Sequence, residues 1–101
     1  MYDKILEISK QYEQDVIAFA QKLIQTPSIS GSERDLADIS MDEMKKLGYD
    51  EVFRDGAGNI VGIVKGTGGG KNVMYNSHMD HVDPGDIKNW EYDPYSAAID
   101  G

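Results

Sequence analysis

The sequence predicts a mixed α/β domain, two helices followed by at least three strands, packed as a helix-sheet sandwich. Three observations carry that prediction. Apolar residues recur at spacings of three and four up to Leu47. From Glu51 onward the runs become short, β-branched and aromatic, and glycine clusters separate them.

The first helix is expected from about Asp3 to Gln25. Ile5, Ile8, Tyr12, Val16, Phe19, Leu23 and Ile24 share one face, with Glu7, Lys10, Gln14 and Gln21 largely elsewhere. Thr26-Pro27 stops it, because proline disfavours helical geometry in the residue before it. Ser28-Ile29-Ser30-Gly31 is a connector, and Ser30 with Glu33, or Ser32 with Asp35, has capping-box spacing. A second helix then runs to Leu47 with Leu36, Ile39, Met44 and Leu47 on its apolar side. Lys45 and Lys46 suit the negative end of its dipole, and Gly48 is placed to terminate it.

Glu51-Val52-Phe53-Arg54 is a short strand candidate, ended by Asp55-Gly56-Ala57-Gly58-Asn59. Ile60-Val61-Gly62-Ile63-Val64 is a stronger one, and Thr67-Gly68-Gly69-Gly70 a flexible turn after it. The third strand starts at Val73 and is expected to be central, being apolar and leading into a polar loop.

At 101 residues the chain is one small domain or part of one. Ten basic against eighteen acidic residues leave a net charge of −8, which argues against nucleic acid and anionic membranes as partners. Without cysteine there is no disulfide, thiolate zinc site or cysteine nucleophile. No targeting segment or membrane-length apolar run is visible, and a cytoplasmic location is expected. The end at Ala97-Ala98-Ile99-Asp100-Gly101 falls in mid-pattern and is expected to be a truncation.

Chemistry concentrates in Tyr75-Asn76-Ser77-His78-Met79-Asp80-His81-Val82-Asp83-Pro84-Gly85-Asp86. On an extended chain His78 and Asp80 project to the same side, which suits a metal-ligating imidazole oriented by a neighbouring carboxylate. The same triplet is also common in ordinary surface loops. His81 falls on the opposite face and is expected to be a solvated loop histidine.

Three other patterns fail. Gly66-Thr67-Gly68-Gly69-Gly70-Lys71 lacks the first glycine of a phosphate-binding loop, where Lys65 stands, and Asn72 replaces its Ser or Thr. Asp80, Asp83 and Asp86 are spaced by three, not by two as a calcium loop of the EF-hand type requires. No serine sits in a nucleophile elbow.

Taken further, the order His78-Met79-Asp80, Gly85-Asp86, Trp90, Asp93-Pro94-Tyr95 and Asp100-Gly101 resembles the M20 family of metal-dependent amidohydrolases. That family includes dipeptidases, aminoacylases, and acetylornithine and succinyl-diaminopimelate deacylases. Its segment runs Gly-His-x-Asp-Val-Val-Pro-x-Gly-Asp, then Trp, Asp-Pro-Phe and Asp-Gly. Thr26-Pro27-Ser28, Ser30-Gly31-Ser32-Glu33 and Gly58-Asn59-Ile60-Val61 also look like the family, so the resemblance covers nearly the whole chain. Ser77 and His81 depart from its usual glycine and apolar residue, and Pro84 comes one place late after Asp83. The run from Asp83 to Trp90 looks closest to the family's selenium-metabolism-linked hydrolases.

The resemblance implies that residues 1–101 are the N-terminal portion of a zinc-peptidase-like catalytic domain, without the family's second, dimer-forming domain. It implies a zinc or cobalt pair in the intact enzyme, His78 as a ligand of one ion, and Asp80 as the carboxylate that orients it. The implied substrate is a small amide or peptide, N-acyl amino acid or dipeptide-like. The family's bridging Asp, Glu-Glu pair and later Glu and His ligands have no counterpart here, so the chain by itself is expected to be inactive and metal-free. Tyr95 and Trp90 are expected to pack the long loop against the domain rather than to touch substrate, and Asp100-Gly101 to form a turn. The alternative is a non-catalytic binding or assembly domain that self-associates through an exposed sheet edge.

Overall fold

A computed structural model describes residues 1–101, and the chain divides into two compact units, Met1–Pro27 with Pro84–Gly101, and Ser28–Asp83. Three α-helices and a two-stranded antiparallel sheet make it a mixed α/β chain.

In the first unit the expected single helix is two: α1 (Tyr2–Gln11) and α2 (Glu13–Ile24). Tyr12 separates them with φ −98° and ψ 3°, outside helical geometry. The cause lies one turn earlier. The Ser9 hydroxyl donates to the Leu6 carbonyl at 2.8 Å, a back-bond that bends helices, and the Tyr12 amide reaches the Ser9 carbonyl at 3.2 Å. The apolar spacing continues through the break, so periodicity alone does not reveal it. Thr26 ends α2 as expected, its hydroxyl donating to the Lys22 carbonyl at 2.8 Å.

The other part of this unit, residues 84–101, is loop with one 3₁₀ turn, Ile87–Asn89. Asp86 caps that turn by accepting from the Lys88 amide at 3.0 Å. The Trp90 indole N–H donates to the Pro84 carbonyl at 2.9 Å, closing the loop on itself, while the ring stays half exposed rather than packing the loop against the domain as expected. Asp93 organises the next turn through the Tyr95 amide at 2.8 Å and the Ser96 hydroxyl at 2.7 Å. Two glutamine side chains hold this loop, Gln21 of α2 on the Ala97 carbonyl at 3.0 Å and Gln25, just past its end, on the Ser96 carbonyl at 3.3 Å.

The second unit is built on α3 (Arg34–Lys46), β1 (Glu51–Arg54) and β2 (Ile60–Ile63). The strands pair from Glu51 opposite Ile63 to Arg54 opposite Ile60, and α3 packs on both, burying Leu36 and Ala37. The C-terminus of α3 matches expectation. Gly48 takes φ 82°, its amide bonds the Lys45 carbonyl at 3.0 Å, and the Tyr49 amide bonds the Met44 carbonyl at 3.1 Å. The N-terminus does not. Glu33 is the N-cap and makes no side-chain cap, because its carboxylate accepts instead from the Gly31 amide at 2.7 Å.

The third strand is a correction. Residues 71–80 hold no regular secondary structure, and Val73, Met74 and Tyr75 are 75%, 87% and 94% exposed. Apolar, strand-prone composition describes how a segment fits a sheet, and without a pairing neighbour no strand forms. The expected central strand and full sandwich therefore reduce to one helix on a hairpin. Just past that segment the chain makes one pairing, a single parallel bridge between Ile29 and His81.

Candidate metal-ligand site

The site is assembled where the connector after Pro27 meets the segment around Asp80, both within the second unit. The His81 amide donates to the Ser28 carbonyl at 2.9 Å. In return the Ser28 amide donates to His81 Nε2 at 3.0 Å. An amide N–H can only donate, so Nε2 is the acceptor and the proton sits on Nδ1, which faces the Val82 carbonyl at 2.7 Å. His81 is therefore not the solvated loop histidine expected of it. It is half-buried with both ring nitrogens engaged by backbone, which leaves no lone pair for a metal.

His78 is arranged the other way. Its Nδ1 lies 2.8 Å from the Asp80 carbonyl oxygen and 3.3 Å from Asp80 Oδ1. The carbonyl and the ionised carboxylate are both acceptors, so Nδ1 carries the proton and Nε2 holds the lone pair. That nitrogen belongs to a side chain 84% exposed. Asp80 thus meets the imidazole twice, and its main-chain oxygen is the nearer. The juxtaposition expected from strand alternation is present, yet a local turn of the chain makes it, since no strand runs through these residues.

The Asp80 carboxylate is itself held. Its Oδ2 accepts from the Ser30 hydroxyl at 2.5 Å. That bond, helped by Asp80's own amide and by His78, holds its carboxyl below the ordinary carboxylate value against a smaller opposing effect of desolvation. Sequence reading assigned Ser30 to a helix cap and so missed this contact. The signal available was the pair of small hydroxyl residues flanking Ile29, the residue that pairs with His81. Ser28 is fully buried, and its Oγ has no hydrogen-bond partner.

Neither here nor elsewhere in the chain is a group of three or more His, Asp or Glu side chains placed to hold a metal ion. Asp100 is tied to the Tyr92 hydroxyl at 3.3 Å.

This chain is similar to succinyl-diaminopimelate desuccinylases along most of its length. The enzyme of Blochmanniella pennsylvanica is 33% identical over 88 residues, 83% of this chain and 23% of its own. That of Magnetococcus marinus is 30% identical over 87 residues, 85% of this chain and 23% of its own. The Escherichia coli protein YgeY, described as uncharacterized, is 37% identical over 91 residues, 90% of this chain and 22% of its own. The chain therefore spans under a quarter of the length of these curated relatives, 22% or 23%. No family model and no solved structure matches it. The likeness to succinyl-diaminopimelate deacylases expected from the sequence has its counterpart in these relatives. No helix is long and apolar enough to cross a membrane.

Proposed function

We propose that this chain is the N-terminal portion of the catalytic domain of an M20-type metallohydrolase, with His78 as a zinc or cobalt ligand through Nε2. The observation that carries the reading is the His78–Asp80 pair. One imidazole has its Nδ1 proton fixed by acceptors at 2.8 and 3.3 Å and its lone pair exposed, in a segment similar to desuccinylases. Metal-ligating histidines usually donate their second ring N–H to a carboxylate or carbonyl, which fixes the tautomer. Here Asp80 supplies both.

The substrate class proposed for the intact enzyme is a small amide, N-acyl amino acid or dipeptide-like. A metal pair, when bound, polarises the scissile carbonyl and lowers the pKa of bound water to about 7. This chain contributes one imidazole ligand and its orienting carboxylate toward that chemistry. The test is a zinc or cobalt titration read by long-range proton–nitrogen NMR correlations of the two histidine rings. His78 Nε2 is expected to shift and His81 to stay unchanged, and the response disappears in His78→Ala. A zinc response at His81 instead, or one that persists in His78→Ala, overturns the reading.

A second reading is favoured by the apolar run Val73-Met74-Tyr75, which is 75–94% exposed. On that reading the chain is an assembly domain that pairs through this segment, and sedimentation showing a stable dimer without metal would favour it.

A further inference from the structure

We propose that His81 is a positioning residue, whose ring clamps the Ser28 backbone and thereby fixes the Asp80–His81 peptide group that faces His78. The inference rests on the metal-ligand reading for the use made of His78, but the clamp itself does not depend on it.

One peptide group makes both contacts. Its N–H, the His81 amide, donates to the Ser28 carbonyl at 2.9 Å. Its carbonyl oxygen, that of Asp80, lies 2.8 Å from His78 Nδ1. The group is planar and trans, so its N–H and C=O point in opposite directions and fixing one aims the other. The anchor is therefore Ser28, and the question is what holds Ser28.

Ser28 is fully buried, where an amide N–H without an acceptor bears the whole cost of its desolvation. A longer β-ladder would supply that acceptor, but the pairing here is a single bridge between Ile29 and His81. The His81 ring supplies it instead, Nε2 accepting from the Ser28 amide at 3.0 Å. Its other nitrogen, 2.7 Å from the Val82 carbonyl, sets the orientation of the ring. Two residues 53 positions apart thus exchange bonds in both directions, one from backbone and one from a side chain. An apolar side chain at position 81 would fill the space and leave the second bond unmade.

The test is NMR on the whole chain without metal. In the wild type, a scalar coupling across the N–H···N bond is expected between the Ser28 amide nitrogen and His81 Nε2. His81→Phe keeps a ring without an acceptor, whereas His81→Gln offers an amide oxygen in place of Nε2. In His81→Phe the Ser28 and His81 amides are expected to exchange about tenfold faster, the scale of one hydrogen bond. The His78 side chain should lose its single rotamer at the same time, while the Tyr49 amide at the end of α3 keeps its exchange rate. His81→Gln is expected to restore both the slow exchange and the rotamer. Should His81→Phe fail to fold, His81→Asn makes the comparison, its acceptor being too short to reach the Ser28 amide.

Absence of the coupling in the wild type overturns the proposal, as does a His78 rotamer unmoved in His81→Phe, or His81→Gln behaving like His81→Phe. A zinc response that persists in His78→Ala, beside coupling and rotamer results as expected, overturns the metal reading and upholds the clamp.

Discussion

At the scale of single residues, chemistry is decided by which atom faces which. His78 and His81 have the same side chain and lie three positions apart, yet opposite tasks follow from their partners. His81 spends Nε2 on the Ser28 amide, whereas His78 keeps Nε2 exposed because Asp80 takes Nδ1. Gly62 makes a similar point about packing. A Cβ there would stand 2.7 Å from Met44 Sδ and 2.7 Å from the Tyr49 ring, so those side chains must shift to admit it. Gly62→Ala is expected to destabilise the fold by about 1–3 kcal/mol, the range for overpacking a filled site. Urea unfolding measures it, and Gly56→Ala, where a Cβ meets nothing within 4 Å, is the control expected to stay near neutral.

At the scale of elements, local signals were legible where the chain satisfies itself and illegible where it needs a partner. The glycine stop of α3 and the positions of β1 and β2 could be read directly, since Gly48 and Asp55 act on backbone within a few residues; that the two strands pair antiparallel was not read. The break at Tyr12 was hidden, because apolar spacing is blind to a serine back-bond. The strand from Val73 was misread for the opposite reason, since its composition is strand-like and its pairing is absent. The pair His78 and Asp80 was legible from its spacing. Ser30 was not, its contact spanning 50 positions.

The hairpin turn also makes a pH prediction. The Asn59 side chain and amide, with the Ala57 and Gly58 amides, hold the Asp55 carboxyl below its ordinary value of 3.8. A carboxylate depressed in the folded state stabilises fully above its unfolded value and loses that contribution as pH falls through the folded one. Asn59→Ala removes the leading cause, so the Asp55 value measured by NMR titration is expected to rise toward 3.8. The stability advantage of the wild-type hairpin over Asn59→Ala should then shrink as the solution is acidified below pH 3.8. An Asp55 titration unmoved by the substitution would place the cause elsewhere in the turn.

At the scale of the whole molecule, the number of donors sets what the chain can do. A four-coordinate zinc site needs three protein ligands even when water completes it, and a pair of ions needs more. The second unit offers one bare imidazole nitrogen, and no three His, Asp or Glu side chains converge in the chain. These 101 residues are therefore expected to show no metal-dependent amidase activity by themselves. The relatives they resemble are matched over 22% or 23% of their length, and on the proposed metallohydrolase reading further ligands would come from outside the matched part. Mixing the chain with the unmatched part of the Magnetococcus marinus desuccinylase is the corresponding experiment. Hydrolysis of an N-succinyl amino acid that appears only in the mixture, needs zinc or cobalt and vanishes with His78→Ala would place His78 in a composite site. Activity that survives His78→Ala would assign the ligands wholly to the other part and leave His78 a surface histidine. Activity from the chain by itself, persisting through repurification and abolished by a chelator, would mean that other side chains gather around His78 in solution.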